Sequence, residues 1–159
     1  MKHRLSLILF FLTISIPLFA QQNYLVGKTT TEEIREKEPI FGIYANRYQP
    51  DSTAIDFLAN LQDSVTIKTF FGTWCHDSKR EVPAFMKTIE LANNPLINVE
   101  YVALNRNKTD PEGLSQNWGL QYTPTFIIVS RSKEIGRIVE ESTEKIEVDL
   151  MKILTSGVR

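Results

Sequence analysis

Residues Val65–Phe71 carry β-branched or aromatic side chains at six of seven positions, and a single glycine, Gly72, separates them from the start of a helical pattern. Such a run is the profile of a central strand. From about Cys75 to Ala92 the apolar residues Val82, Phe85, Met86 and Ile89 fall on one face, with Lys79, Arg80, Lys87 and Glu90 around the other. That is the 3.6-residue period of a helix packed on one side. Asn98–Leu104 is again strand-like. A buried strand feeding an amphipathic helix and then a second strand leads to layers of helix on sheet.

The remaining chain extends this alternation. Thr31–Lys37 is polar and helix-prone and stops before Pro39, and Ile40–Tyr44 reads as a first strand. Pro50-Asp51 opens a helix with Ile55, Leu58 and Leu61 at three-residue steps. Asn105–Pro111 is a polar loop, and a short helix then ends near Gly119. Phe126–Ser130 and Glu134–Glu140 read as a hairpin around Arg131-Ser132-Lys133, and Thr143–Leu154 as a closing amphipathic helix. The expected order is βαβαβαββα, an α/β fold with a mixed sheet. Neither an internal repeat nor a domain-separating linker is evident, so residues 40–159 are expected as one domain after a leader segment over 21–39.

Composition limits the function classes. Hydrophobic residues make up 42% of the 159 and charged residues 23%, which is globular composition. The net charge is −1 and Lys and Arg form no patch, so the electrostatic footprint of nucleic-acid binding is absent. With Cys75 the only cysteine, a disulfide-stapled fold is excluded, as is a metal site built on several thiolates.

The first twenty residues have the form of an export signal: a basic start (Lys2, Arg4), an apolar run from Leu5 to Ile16, Pro17, and Ala20 before Gln21-Gln22. The alternative is an uncleaved anchor, but the run is shorter than the ~20 residues a spanning helix needs. An exported, periplasmic or extracellular protein is therefore expected, without stable membrane association once the signal is cleaved.

The chemistry-bearing stretch is Phe71-Gly72-Thr73-Trp74-Cys75-His76-Asp77-Ser78. It places the thiol where a strand ends and a helix begins. Free N–H groups and the positive dipole end at a helix N-terminus stabilise an anion, and a thiolate is one. The placement favours a nucleophile over a buried, inert cysteine.

The stretch Val65–Pro83 resembles the thioredoxin family. Trp74-Cys75 matches the tryptophan and nucleophilic cysteine of its redox motif. Pro83, eight residues on, matches the proline that kinks the motif helix. Tyr122-Thr123-Pro124-Thr125-Phe126 looks like the family's cis-proline segment. The resemblance runs from Ile40 onward and is closest to exported thioredoxin-like proteins of Bacteroidetes-type bacteria. It implies a thioredoxin fold, a central mixed sheet flanked by helices, with Thr123-Pro124 facing the cysteine as a substrate platform. An extended substrate would pair with that backbone as an added strand.

Departures from the pattern shape the expected chemistry. The second cysteine of the dithiol motif is Ser78, about one helical turn from Cys75, giving a monothiol W-C-x-x-S motif. Its hydroxyl is expected to reach the sulfur and support the thiolate, but it cannot form a disulfide. Residues at which many thioredoxins place a buried acid and its lysine partner are here Thr69 and Ala103. His76 is read either as a support for the thiolate or as a solvated turn residue, and Asp77 as a helix cap. Adjacent Cys75, His76 and Asp77 fan apart at a helix start, so no metal is expected.

The reading is therefore an exported monothiol thiol–disulfide exchange protein of isomerase or de-thiolation type. Cys75 is the nucleophile, Ser78 its partner, and Trp74, His76, Asp77, Thr123 and Pro124 complete the motif and platform. Its partners are protein or small-molecule thiols and disulfides. No cofactor is expected, although an external thiol such as glutathione serves as co-substrate. A non-catalytic binding module holding a peptide or envelope protein is the main alternative, and a glutathione-ligated iron–sulfur site a third.

Overall fold

The computed structural model describes residues 25–157; the expected signal over 1–20 lies outside them. In chain order the elements are β1 (Gly27–Thr29), α1 (Thr31–Lys37), α2 (Pro39–Arg47), α3 (Ser52–Ala59), β2 (Val65–Phe71), α4 (His76–Ala92), β3 (Ile97–Ala103), α5 (Leu114–Asn117), β4 (Thr125–Ser130), β5 (Lys133–Val139) and α6 (Ile146–Gly157). The five strands form one mixed sheet in the order β1-β3-β2-β4-β5. Central β2 runs parallel to β3, from Val65 opposite Ile97 to Phe71 opposite Ala103, and antiparallel to β4. The α/β class and mixed sheet expected from the residue pattern are the ones observed.

Local chemistry accounts for most boundaries. Thr30 accepts the Glu33 N–H to cap α1, and Asp51 Oδ1 accepts the Ala54 N–H at 2.9 Å to cap α3. The β4–β5 hairpin turns through Arg131 and Ser132, both left-handed with φ of 49° and 65°, the backbone of a two-residue hairpin whose twist matches its strands. Gly136 on β5 lets α6 approach closely, since a Cβ there would lie 2.7 Å from Ile153. Glu147, fully buried in the first turn of α6, accepts the Tyr48 hydroxyl at 2.9 Å and the Asp51 N–H at 2.7 Å, joining α6 to the α2–α3 connection. Burial and this carboxylate raise the Tyr48 phenol well above its usual range.

Two expectations are corrected. Ile40–Tyr44 is part of helix α2 and not a strand. Pro39 sits in the first turn, where its fixed φ suits helix entry and its missing N–H costs nothing. Phe41 and Ala45, four residues apart, are the buried pair, while Ile43 and Tyr44 are exposed. That spacing is helical, and a strand would have alternated. The first strand is instead Gly27–Thr29, paired antiparallel with Tyr101–Ala103 of β3. It is too short and polar to show a period. Consequently the later part of the 21–39 leader packs with the domain: β1 extends the sheet and Ile34 of α1 is fully buried.

The two faces of the sheet are unequal. On one, Phe41, Phe71, Phe85, Tyr101 and Phe126 form a chain of ring contacts with centroids 5.1–6.4 Å apart, beneath α2, α4 and α6. On the other, Phe70, Val102, Leu104 and Ile127 pack against Leu114, Trp118 and Leu120 of the α5 region. Phe70 and Phe71 point into opposite clusters, so the C-terminal end of β2 emerges between them. Cys75 follows that end.

Candidate functional site

The turn between β2 and α4 is held by short-range bonds. The Cys75 N–H donates to Gly72 O at 2.9 Å, and the Gly72 N–H donates to Ser78 Oγ at 3.2 Å. Gly72 is required sterically: a Cβ there would lie 2.5 Å from the Trp74 ring. Trp74 in turn donates from Nε1 to Leu104 O at 2.9 Å, tying the turn to the end of β3. Cys75 is the N-cap residue of α4, with extended backbone (φ −84°, ψ 133°) and a half-exposed side chain. Its Sγ lies 3.1 Å from the Thr123 carbonyl oxygen, to which the thiol donates.

Nucleophile turn and proline segment, 48 residues apart in sequence, therefore meet at the sulfur. Thr123–Pro124 is a cis peptide bond, Thr123 is buried, and the Thr125 hydroxyl donates to Tyr122 O at 2.8 Å. Trp74, Cys75, Thr123 and Pro124 thus lie together.

Other expected site residues have distinct surroundings. Ser78 is fully buried, and the partner of its Oγ is the Gly72 N–H; a bond from Ser78 to Cys75 is not among those of the described residues. The hydroxyl closes the turn beneath the sulfur. His76 is exposed at the first helical position of α4. Asp77 lies inside the first turn, two residues beyond the N-cap Cys75 and so not in the cap position expected for it, and pairs with Arg80 at 3.5 Å. There it favours the positive end of the helix dipole. Pro83 lies within α4, leaving Lys79 O without the N–H of its fourth neighbour.

Thr69 in β2 and Thr73 in the turn have buried hydroxyls without a hydrogen-bond partner among the described residues, and Ala103 is fully buried opposite Phe71. No ionisable side chain occupies either relay position.

A further group of residues was not singled out from the sequence. Arg106 lies with its guanidinium carbon 5.7 Å from the Trp74 ring centroid, and Lys108 Nζ lies 5.4 Å from that of Tyr122. In the sequence they are two charges in a polar loop. The tryptophan and tyrosine they stack on come from segments distant in sequence.

No protein-family model and no curated protein sequence matches this chain. Solved structures do. A Pseudomonas aeruginosa protein of unknown function superposes with a TM-score of 0.54 at 14% identity, over 77% of this chain and 75% of its own. An HIV epitope-scaffold gives 0.53 at 16% identity, over 77% and 76%. Thioredoxin-2 of a malaria parasite, described as a component of its protein secretion machinery, gives 0.47 at 20% identity, over 61% and 86%. The likenesses concern the fold, a mixed sheet flanked by helices. Among the described residues no helix is long and apolar enough to cross a membrane.

Proposed function

We propose that the protein is an exported bacterial thioredoxin-like monothiol that performs thiol–disulfide exchange of isomerase or de-thiolation type. The observation that carries this reading is a half-exposed Cys75 at the N-terminus of α4, 3.1 Å from the Thr123 carbonyl of the proline segment. Cys75, as thiolate, attacks one sulfur of a substrate disulfide RS–SR′. The Cys75–S–S–R bond forms, the S–S bond of the substrate breaks, and R′S⁻ leaves and takes up a proton. An external thiol R″SH then attacks the mixed disulfide, giving RS–SR″ and restoring Cys75. Each cycle exchanges partners without net oxidation. Ser78 takes no part in these bonds; it holds the Gly72 N–H and with it the turn that presents the sulfur. The reading involves no metal or resident cofactor.

The test is the lifetime of the mixed disulfide. Treated with oxidised glutathione, the mature protein should accumulate a one-to-one adduct at Cys75 that persists until free thiol is added, as read by intact mass. The Ser78→Cys variant should expel glutathione by forming an intramolecular disulfide, because the two positions lie one turn apart. Intramolecular attack can reach effective molarities of about 10⁵ M, so the contrast should be large. Failure of the folded, reduced protein to form any adduct would leave the binding-module alternative standing.

A further inference from the structure

Beyond the exchange reading, and resting on it, the contacts around α4 show what keeps the proline segment against the sulfur. Cys75 caps α4, and its Sγ lies 3.1 Å from Thr123 O. The next carbonyl, Pro124 O, accepts the Glu140 N–H at 2.8 Å. Glu140, directly after β5, has a left-handed backbone with φ of 61°. A residue with a side chain holds that conformation only where its surroundings constrain it.

The constraint comes from α4, through two side chains on the turn after Cys75. Arg80 Nη2 lies 2.9 Å from Glu141 Oε1, and Glu81 Oε2 accepts the Ser142 hydroxyl at 2.9 Å. The two are joined to each other, Arg80 Nε donating to Glu81 Oε1 at 2.9 Å. Arg80 is further oriented by Asp77, 3.5 Å away in the first turn. Glu81 is buried, and these charged and hydroxyl donors offset the cost of taking its carboxylate out of water. Such a group contributes orientation more than stability. The contacts close a ring. It runs from Cys75 along α4, across Arg80 and Glu81 to the segment after β5, and back through Pro124 to the sulfur.

We propose that Arg80 and Glu81 are positioning residues for Cys75. By holding Glu141 and Ser142 they keep the Glu140 N–H on Pro124 O, and so set the proline segment at a fixed distance from the sulfur. Neither touches sulfur or substrate. A peptide disulfide lying along the Thr123 backbone is thereby aligned for attack by the Cys75 thiolate. A Cys75–peptide disulfide forms, the S–S bond of the substrate breaks, and its second sulfur leaves as a thiol. A small displacement of the platform misaligns that attack. A small disulfide has no chain to lay along the platform and does not depend on the latch.

The experiment compares two probes, a neutral extended peptide dimerised through its single cysteine and hydroxyethyl disulfide. Timed mass spectrometry follows adduct formation at Cys75 in the wild type and in Glu141→Gln/Ser142→Ala, which cuts the latch on the side away from α4. The peptide rate should fall about fivefold, while the hydroxyethyl disulfide rate stays within about twofold of the wild type. The conservative variant Glu141→Asp/Ser142→Thr keeps the carboxylate and the hydroxyl and should restore the peptide rate. A general structural defect would instead slow both probes together. Should the first variant fail to fold, Glu141→Gln alone, at an exposed side chain, is read in the same way. An unchanged peptide rate, equal slowing of both probes, or no restoration by the conservative variant overturns the positioning role and leaves exchange intact. No adduct with either probe in the wild type overturns exchange, and the positioning role with it.

Discussion

The two faces of the sheet differ in what they contribute. Beneath α2, α4 and α6 lies a thick aromatic core in which Phe41, Phe71, Phe85 and Phe126 are fully buried. The opposite face has four buried apolar residues, covered by the four-residue helix α5 and its flanking loops. Yet the thin face supplies much of the site's surroundings. Leu104 O receives the Trp74 indole, and the Asn105–Thr109 loop carries Arg106 and Lys108. The thick face holds the fold together, and the thin one is held largely by polar bonds that place side chains near the sulfur. Stability and chemistry are therefore separable by substitution.

The sharpest test of that separation is Phe85→Ala. Phe85 packs against Tyr101 at 6.1 Å and Phe126 at 5.1 Å with no exposure, so its truncation should cost about 3–5 kcal/mol in urea unfolding. A loss below about 1 kcal/mol would mean that the thick face does not dominate stability.

Asp110 probes the thin face. Its carboxylate accepts the N–H groups of Glu112, Leu114 and Ser115 at 2.8–3.1 Å. Burial, the largest single influence, acts to raise its pKa, but the hydrogen bonds from Ser115, Leu114 and Glu112 together outweigh it, and the carboxyl sits below its ordinary value. A lowered folded-state pKa contributes stability that is present above the unfolded value and lost as pH falls through the folded one. Asp110→Asn should therefore cost about 1 kcal/mol at neutral pH, with wild type and variant converging in acid below the ordinary carboxylate value of about 4. A difference independent of pH would assign the effect to packing instead of charge.

The smallest stability effect is expected at the site itself. Cys75 is half-exposed and its thiol makes one weak hydrogen bond, so Cys75→Ser should change stability by no more than about 0.5 kcal/mol. The same variant should lose adduct formation completely in the oxidised-glutathione assay. A large destabilisation would make the cysteine a structural element of the turn.

Elements with a strong period were legible from the residues alone. β2, α4 and the β4–β5 hairpin lie where the pattern puts them, because each must bury a face and its spacing records which. Ile40–Tyr44 reads equally as strand or helix because five consecutive residues with four large side chains satisfy either until the buried pair is known. β1 left no signal, since its three residues are fixed by pairing with β3 and not by their own preferences. The nucleophile turn was similarly legible, its glycine, tryptophan and cysteine being local in sequence.

What the sequence determined by itself is the local chemistry: one thiol at a strand-to-helix turn, a serine where a second thiol would allow an internal disulfide, and an α/β layering. The tertiary structure decided everything that depends on distant backbone. It set Thr123 O at 3.1 Å from the sulfur, gave the Ser78 hydroxyl to the Gly72 N–H, and stacked Arg106 and Lys108 on rings from two other segments. Periodicity reports only that a residue is buried or exposed. Which partner meets it follows from strand order and loop closure, and these are set by the packing of the whole chain.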